Sequence, residues 1–111
     1  MRIETCQFDA TVPVVFVESG DKGPLVRALK ERGHGFAVYG EVPTPLIVFD
    51  SRCERKSWWT QDHTLAVIAH ELAHIHNNSD DEVRADLGGA QILREAGFYA
   101  AASLLQGRQK G

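Results

Sequence analysis

The five residues His70-Glu71-Leu72-Ala73-His74 constrain this chain more than any other feature. They form an H-E-x-x-H inside a stretch where Leu65, Ile68, Leu72 and Ile75 recur at spacings of three and four. That recurrence predicts a helix with a buried stripe, and no Pro or Gly interrupts it from Gln61 to Asn77. Residues i and i+4 share a helix face, so both imidazoles reach toward one metal ion. Glu71 points beside that ion, where its carboxylate can take a proton from water. The flanking residues are apolar, Leu65 to Ala69 before the motif and Ile75 after it. A mostly buried helix that carries two imidazoles and a carboxylate must supply them with partners. One Zn²⁺ per chain would do so. A catalytic zinc takes three protein ligands and keeps a fourth position open, so the fold has to bring a third ligand from another element.

Two acidic residues one helical turn apart, Glu82 and Asp86, are the candidates, on a second helix that Ser79 begins. Zinc accepts either carboxylate directly. Glu82 also has an ordinary explanation. Ser79-Asp80-Asp81-Glu82 reads as a capping box, with Glu82 bonded back to the Ser79 N–H. Capping does not account for Asp86, a turn further in. Cys53 is a rival ligand, since deformylase-like enzymes add a cysteine to the same motif.

Residues 66–93 resemble the zinc-binding core of the gluzincin metallopeptidases, a group within the zincins. There, H-E-x-x-H is followed on a second helix by E-x-x-A-D, matched here by Glu82-Val83-Arg84-Ala85-Asp86. The similarity is to ImmA/IrrE-type, HtpX-like and minigluzincin peptidases. It implies Glu82 as third metal ligand, with Asp86 holding the far nitrogen of a ligating histidine. Only seven residues separate His74 from Glu82, and Gly88-Gly89 stand where a bulkier residue is common. Glycines there would let two helices approach closely.

The rest of the chain predicts a single minimal α/β (α+β, zincin-like) domain over residues 1–111. Its parts are a three-stranded mixed sheet, an active-site helix and C-terminal helices. The strands are Thr11–Glu18, Gly35–Gly40 and Leu46–Asp50, with a helix from Pro24 to a stop at Gly33. The helix between the first two strands suggests a parallel crossover pair. The short turn at 42–45 suggests a hairpin between the second and third. Asn77-Asn78 reads as a helix stop, because Asn tolerates the left-handed conformation. The last helix is expected from Phe98 to Gln106, with Gly107 beyond its end. A net charge of −3 argues against nucleic acid. Residues Met1–Gln7 lack the apolar core of a signal peptide, and the apolar run Val12–Val17 is too short to span a bilayer. A cytoplasmic location with Cys6 and Cys53 as free thiols is expected.

Four of the five histidines fall between His63 and His76. His63 and His76 are candidates for the cleft, and Tyr99, Tyr39 and Arg84 for stabilising an oxyanion. His63 has a simpler reading as a polar residue at the helix start. Of the adjacent Trp58 and Trp59, one is expected in the core and one at a substrate or partner surface. The resemblance implies an edge strand that pairs with extended substrate, and Leu46–Asp50 is the expected match. The expected activity is hydrolysis of a peptide bond, with Glu71 as general base and a peptide or protein as substrate. The alternative is a zinc-binding or regulatory module with little proteolysis. An activity that depends on a partner protein fits the small size.

Overall fold

The computed structural model describes the backbone over residues 1–110 and side-chain surroundings over 1–107. Strands β1 (Arg2–Cys6) and β2 (Asp9–Val17) come first, then α1 (Pro24–Arg32), β3 (Gly35–Val38) and β4 (Leu46–Asp50). A 3₁₀ turn over Ser51–Arg55 leads to α2 (Gln61–Asn77), α3 (Glu82–Glu95) and α4 (Tyr99–Lys110). The sheet order is β1-β2-β4-β3.

Four strands form where three are expected. The additional one, β1, pairs antiparallel with β2, with Ile3 opposite Val15. All its residues but Cys6 are exposed. A strand that buries one side chain carries no apolar alternation to read. The hairpin of β3 and β4 forms as expected, but the crossover pair does not. The strand parallel to β2 is β4, with Val14 opposite Ile47. The chain runs through α1, passes to the far side for β3, and returns through β4 into the gap. Consequently Leu46–Asp50 is not an edge strand. β4 is paired on both sides, and the edge strands are β1 and β3. Burial of Ile47, Val48 and Phe49 on both faces of β4 is what a central strand requires.

The two faces of the sheet carry different layers. Val15, Val17 and Val48 pack with Leu29 of α1. Val12, Val14, Ile47 and Phe49 pack with Ile68 and Leu72 of α2. Behind α2, a third cluster joins Leu65 and Ala69 to Ala90 and Leu93 of α3 and to Leu105 of α4. Helix α4 continues through Gly107, which does not end it. Among the described residues, no helix is long and apolar enough to cross a membrane.

Small residues set the spacing between α2 and α3. A Cβ on Gly89 would stand 2.8 Å from Leu105 Cδ1, 3.0 Å from the His70 backbone nitrogen and 3.1 Å from the Ala69 carbonyl carbon. Only a residue without Cβ lets α3 lie this close to the start of the H-E-x-x-H. Replacing Gly by Ala in a helix ordinarily gains about 1 kcal/mol. For Gly89→Ala the backbone of α2 cannot yield, so we expect a net loss of about 1–3 kcal/mol. A lower urea midpoint at unchanged m measures it, and an unchanged midpoint would mean the helices stand further apart. Gly88→Ala meets only Ala73 Cβ at 3.1 Å and Asn77 Nδ2 at 3.4 Å, and it should be closer to neutral.

Candidate metal centre

Helix α2 begins at Thr60, whose side chain bonds the His63 backbone while the His63 ring bonds back to Thr60. That reciprocal cap fixes the helix start, and the 3.6-residue period then puts His70 and His74 on one face. Helix α2 ends at Asn78, in the left-handed conformation at φ 47°. The Asn78 N–H donates to Ile75 O and the Ser79 N–H to His74 O, both at 3.2 Å. This is the bond pair of a Schellman turn. It reverses the chain and brings the Ser79 carbonyl to His74 Nδ1, 2.7 Å away. Helix α3 starts three residues later. Its cap is Asp81, which accepts from the Arg84 N–H at 3.0 Å. The expected capping box from Ser79 to Glu82 therefore does not form. Glu82 is the first residue of α3, and its carboxylate is turned to the histidines.

Proton accounting shows what this arrangement demands. His70 Nδ1 lies 2.7 Å from Asp86 Oδ1, and both residues are buried. His74 Nδ1 faces a backbone carbonyl, which can only accept. Both Nδ1 atoms therefore carry the ring proton, because a carboxylate and a carbonyl fix that tautomer. In the neutral rings, each Nε2 is left as a lone pair. The two Nε2 atoms are 3.2 Å apart. Glu82 adds Oε1 at 2.7 Å from His74 Nε2 and Oε2 at 3.3 Å from His70 Nε2. Three acceptor sites converging on one point are reconciled by a cation among them, either a metal ion or a proton on one Nε2 that pairs with Glu82. Two nitrogen ligands about 2.0–2.1 Å from a tetrahedral zinc stand about 3.3 Å apart, close to the observed spacing. Among the described residues, His70, His74 and Glu82 are the group of metal-ligating side chains found together. The nitrogen and carboxylate donor set suits zinc.

Glu71 Oε2 lies 4.0 Å from His70 Nε2, beside the cluster and outside its ligand shell. The groove around these residues measures about 430 Å³, lined by Glu71, His74 and Glu82 on one side and by Gly35, Phe36 and Ala37 of β3 on the other. Tyr39 completes it, its ring stacked at 3° to that of His74 and its hydroxyl bonded to Asp80. The Glu82 side chain is 68% exposed, so the cluster opens to solvent on that side.

Other expected site residues lie elsewhere. The His63 ring belongs to the cap of α2 and packs on Trp58 and Trp59. His76, two residues past His74, turns away from the groove and bonds Asp9 Oδ2 at 2.7 Å. The Thr11 hydroxyl first, and then His76, hold the Asp9 carboxyl down at about 2. Tyr99 is exposed at the start of α4 and does not line the groove. Cys53 lies in the core beside Ile68 and Leu72, its thiol 2.7 Å from the Asp50 carbonyl. Burial pushes that thiol up to about 11, far from the thiolate a metal needs. Cys6 and Cys53 are both free. The adjacent tryptophans do divide, Trp58 exposed and Trp59 half-buried against Phe49. The residue least legible beforehand is Ser79, because its backbone carbonyl, and not its side chain, orients His74.

The chain matches no protein-family model, no curated protein and no solved structure.

Removing the acceptor from His70 tests the proton accounting. Asp86→Ala leaves a buried Nδ1–H without its carboxylate, which costs about 1–3 kcal/mol. Asp86→Asn keeps an acceptor oxygen in place and should lose less. Equal losses in a denaturant series would show that the bond to His70 is not what Asp86 supplies.

Proposed function

We propose that this chain is a zinc-dependent peptidase of the zincin type. The observation that carries the reading is the convergence of His70 Nε2, His74 Nε2 and the Glu82 carboxylate, with Glu71 next to them. A closed structural zinc site takes four protein ligands, whereas three leave a position open. His70, His74 and Glu82 would hold one Zn²⁺. When bound, the ion polarises a carbonyl and makes water more acidic.

The remaining chemistry falls to the chain's own groups. Glu71 takes a proton from water in the groove and later gives it to the departing amine, the general base and acid of one reaction. Asp86 and the Ser79 carbonyl keep both imidazoles in the tautomer that turns Nε2 to the site. The open edge of β3 faces the groove, so an extended peptide can add there as a further strand. Pairing of this kind uses backbone groups and reads little sequence. Tyr39 stands where its hydroxyl, released from Asp80, can donate to the oxygen of a peptide carbonyl.

The test is zinc stoichiometry together with hydrolysis of an unfolded protein substrate. Wild type should hold one zinc per chain, and a chelator should lower its melting temperature as the bound ion is withdrawn. Glu71→Gln should keep the zinc and lose about 10²–10⁴ in rate. Glu82→Ala should lose zinc at concentrations that saturate wild type. Asp86→Ala should weaken zinc about 10–100-fold. A wild type that binds no zinc overturns the proposal. Zinc without cleavage replaces it with the binding or regulatory module.

A further inference from the structure

The two tryptophans are left over from this reading: Trp59 packs against the core beside Phe49, and Trp58 stands exposed next to it. Trp58, Trp59, His34, Val67, Ala66 and Leu104 line an open hollow of about 220 Å³. Its walls are mainly apolar. Trp59 is fixed in place by its Nε1–H bond to Thr64 Oγ1 at 2.8 Å. Trp58 is 56% exposed and packs edge-on against His63. Lys56 caps one side, its Nζ 5.3 Å from the Trp58 ring centre and donating to His34 Nε2 at 3.1 Å. Burial first, and then the Lys56 ammonium, lower the His34 pKa from its ordinary value, which disfavours a charge on that ring.

This hollow adjoins the candidate metal centre. His34 and Val67 also line an adjoining hollow that contains His70, Glu71 and Glu82. That one in turn shares Gly35, Glu71 and Glu82 with the main groove. Three adjoining hollows therefore follow one another from Tyr39, past the cluster, to the tryptophans. Ala66 and His63 stand four and seven residues before His70, which is about 6 and 10 Å along α2. An extended peptide advances about 3.3 Å per residue. A bound chain with its reacting bond at Glu71 thus reaches the hollow about two to three residues further along. The volume lies below the roughly 300–1,000 Å³ of sites that enclose whole small molecules, and it suits a single large side chain.

We infer that the Trp58–Trp59 hollow is a substrate subsite that selects a large apolar side chain two or three residues from the cleaved bond. The inference rests on the peptidase reading above for the term "substrate", and the hollow itself is independent of the metal. The occupant is an aromatic or long aliphatic side chain of an extended peptide. Aromatic side chains have few torsions to order on binding, and aromatic residues dominate contact energies elsewhere.

Capped octapeptides of Gly and Ser, with one Phe walked through every position, test this on the zinc-loaded protein. Both tryptophans of the chain line the hollow, so intrinsic emission reports occupancy directly. The expected result is a peak in kcat/KM, at least tenfold above the Phe-free peptide, with Phe two or three residues from the cut. The same peptides should shift the emission of the Glu71→Gln protein to the blue and saturate. Trp58→Ala should abolish the peak, and Trp58→Phe should retain it. Cleavage that ignores the position of Phe overturns the subsite and leaves the peptidase standing. A peak that survives Trp58→Ala overturns it too. If no peptide is cleaved, the peptidase reading fails. Saturable, Phe-dependent emission then still supports an apolar side-chain site, and unchanged emission overturns it. An emission shift on simple dilution of the protein would mean that a second copy covers the hollow, which also overturns the inference.

Discussion

The close packing of α3 on α2 at Gly89 is the constraint from which the His70–His74–Glu82 cluster follows. With a side chain at that position, α3 would be displaced from the backbone of His70. Asp86, three residues earlier on α3, reaches His70 Nδ1 only because the helices touch here. The same approach sets Glu82 over both Nε2 atoms at the other end of the helix contact. A helix-interior glycine costs stability in isolation. Here that local cost permits a buried carboxylate–imidazole bond and the meeting of two imidazoles with a carboxylate. Two rules that conflict locally are reconciled by one contact.

The geometry of the centre depends on backbone as much as on side chains. His70 is oriented by a carboxylate and His74 by a carbonyl. The two acceptors differ in charge, so the imidazoles are not equivalent. The carbonyl on His74 belongs to a turn fixed by a left-handed Asn78. The side chain at position 79 matters less to His74 than the path of the chain there.

The helices were readable because their signals are local. The apolar period of α2, the asparagine stop and the paired glycines each involve residues within a few positions. All three appear in the structure at the expected places. The sheet was less readable because its signals are distant. Strand β1 is exposed on four of five residues, so no alternation marks it. The order β1-β2-β4-β3 depends on which strand fills the gap beside β2, and Leu46–Asp50 and Gly35–Val38 are similarly apolar. Only burial on both faces separates them, and that is a tertiary property. At the site, the spacing of His70 and His74 and the position of Glu82 and Asp86 could be read from the chain. The remaining histidines could not, because His63 and His76 are held by Thr60 and Asp9 through contacts that spacing does not encode. The capping box at Ser79 was a valid local motif that lost to another cap two residues on, Asp81.

The seven-residue link between His74 and Glu82 has a consequence for how the protein forms. Every group in the cluster comes from one helical hairpin, and its contacts are near neighbours in sequence. Closing so short a loop carries little entropic cost. The parallel pair of β2 and β4 instead joins Val14 to Ile47 across an intervening helix and strand, a contact of high sequence separation that slows folding. The hairpin can therefore assemble ahead of the sheet. An ion captured by it would act during folding as a nucleus, on which the slower strands then condense.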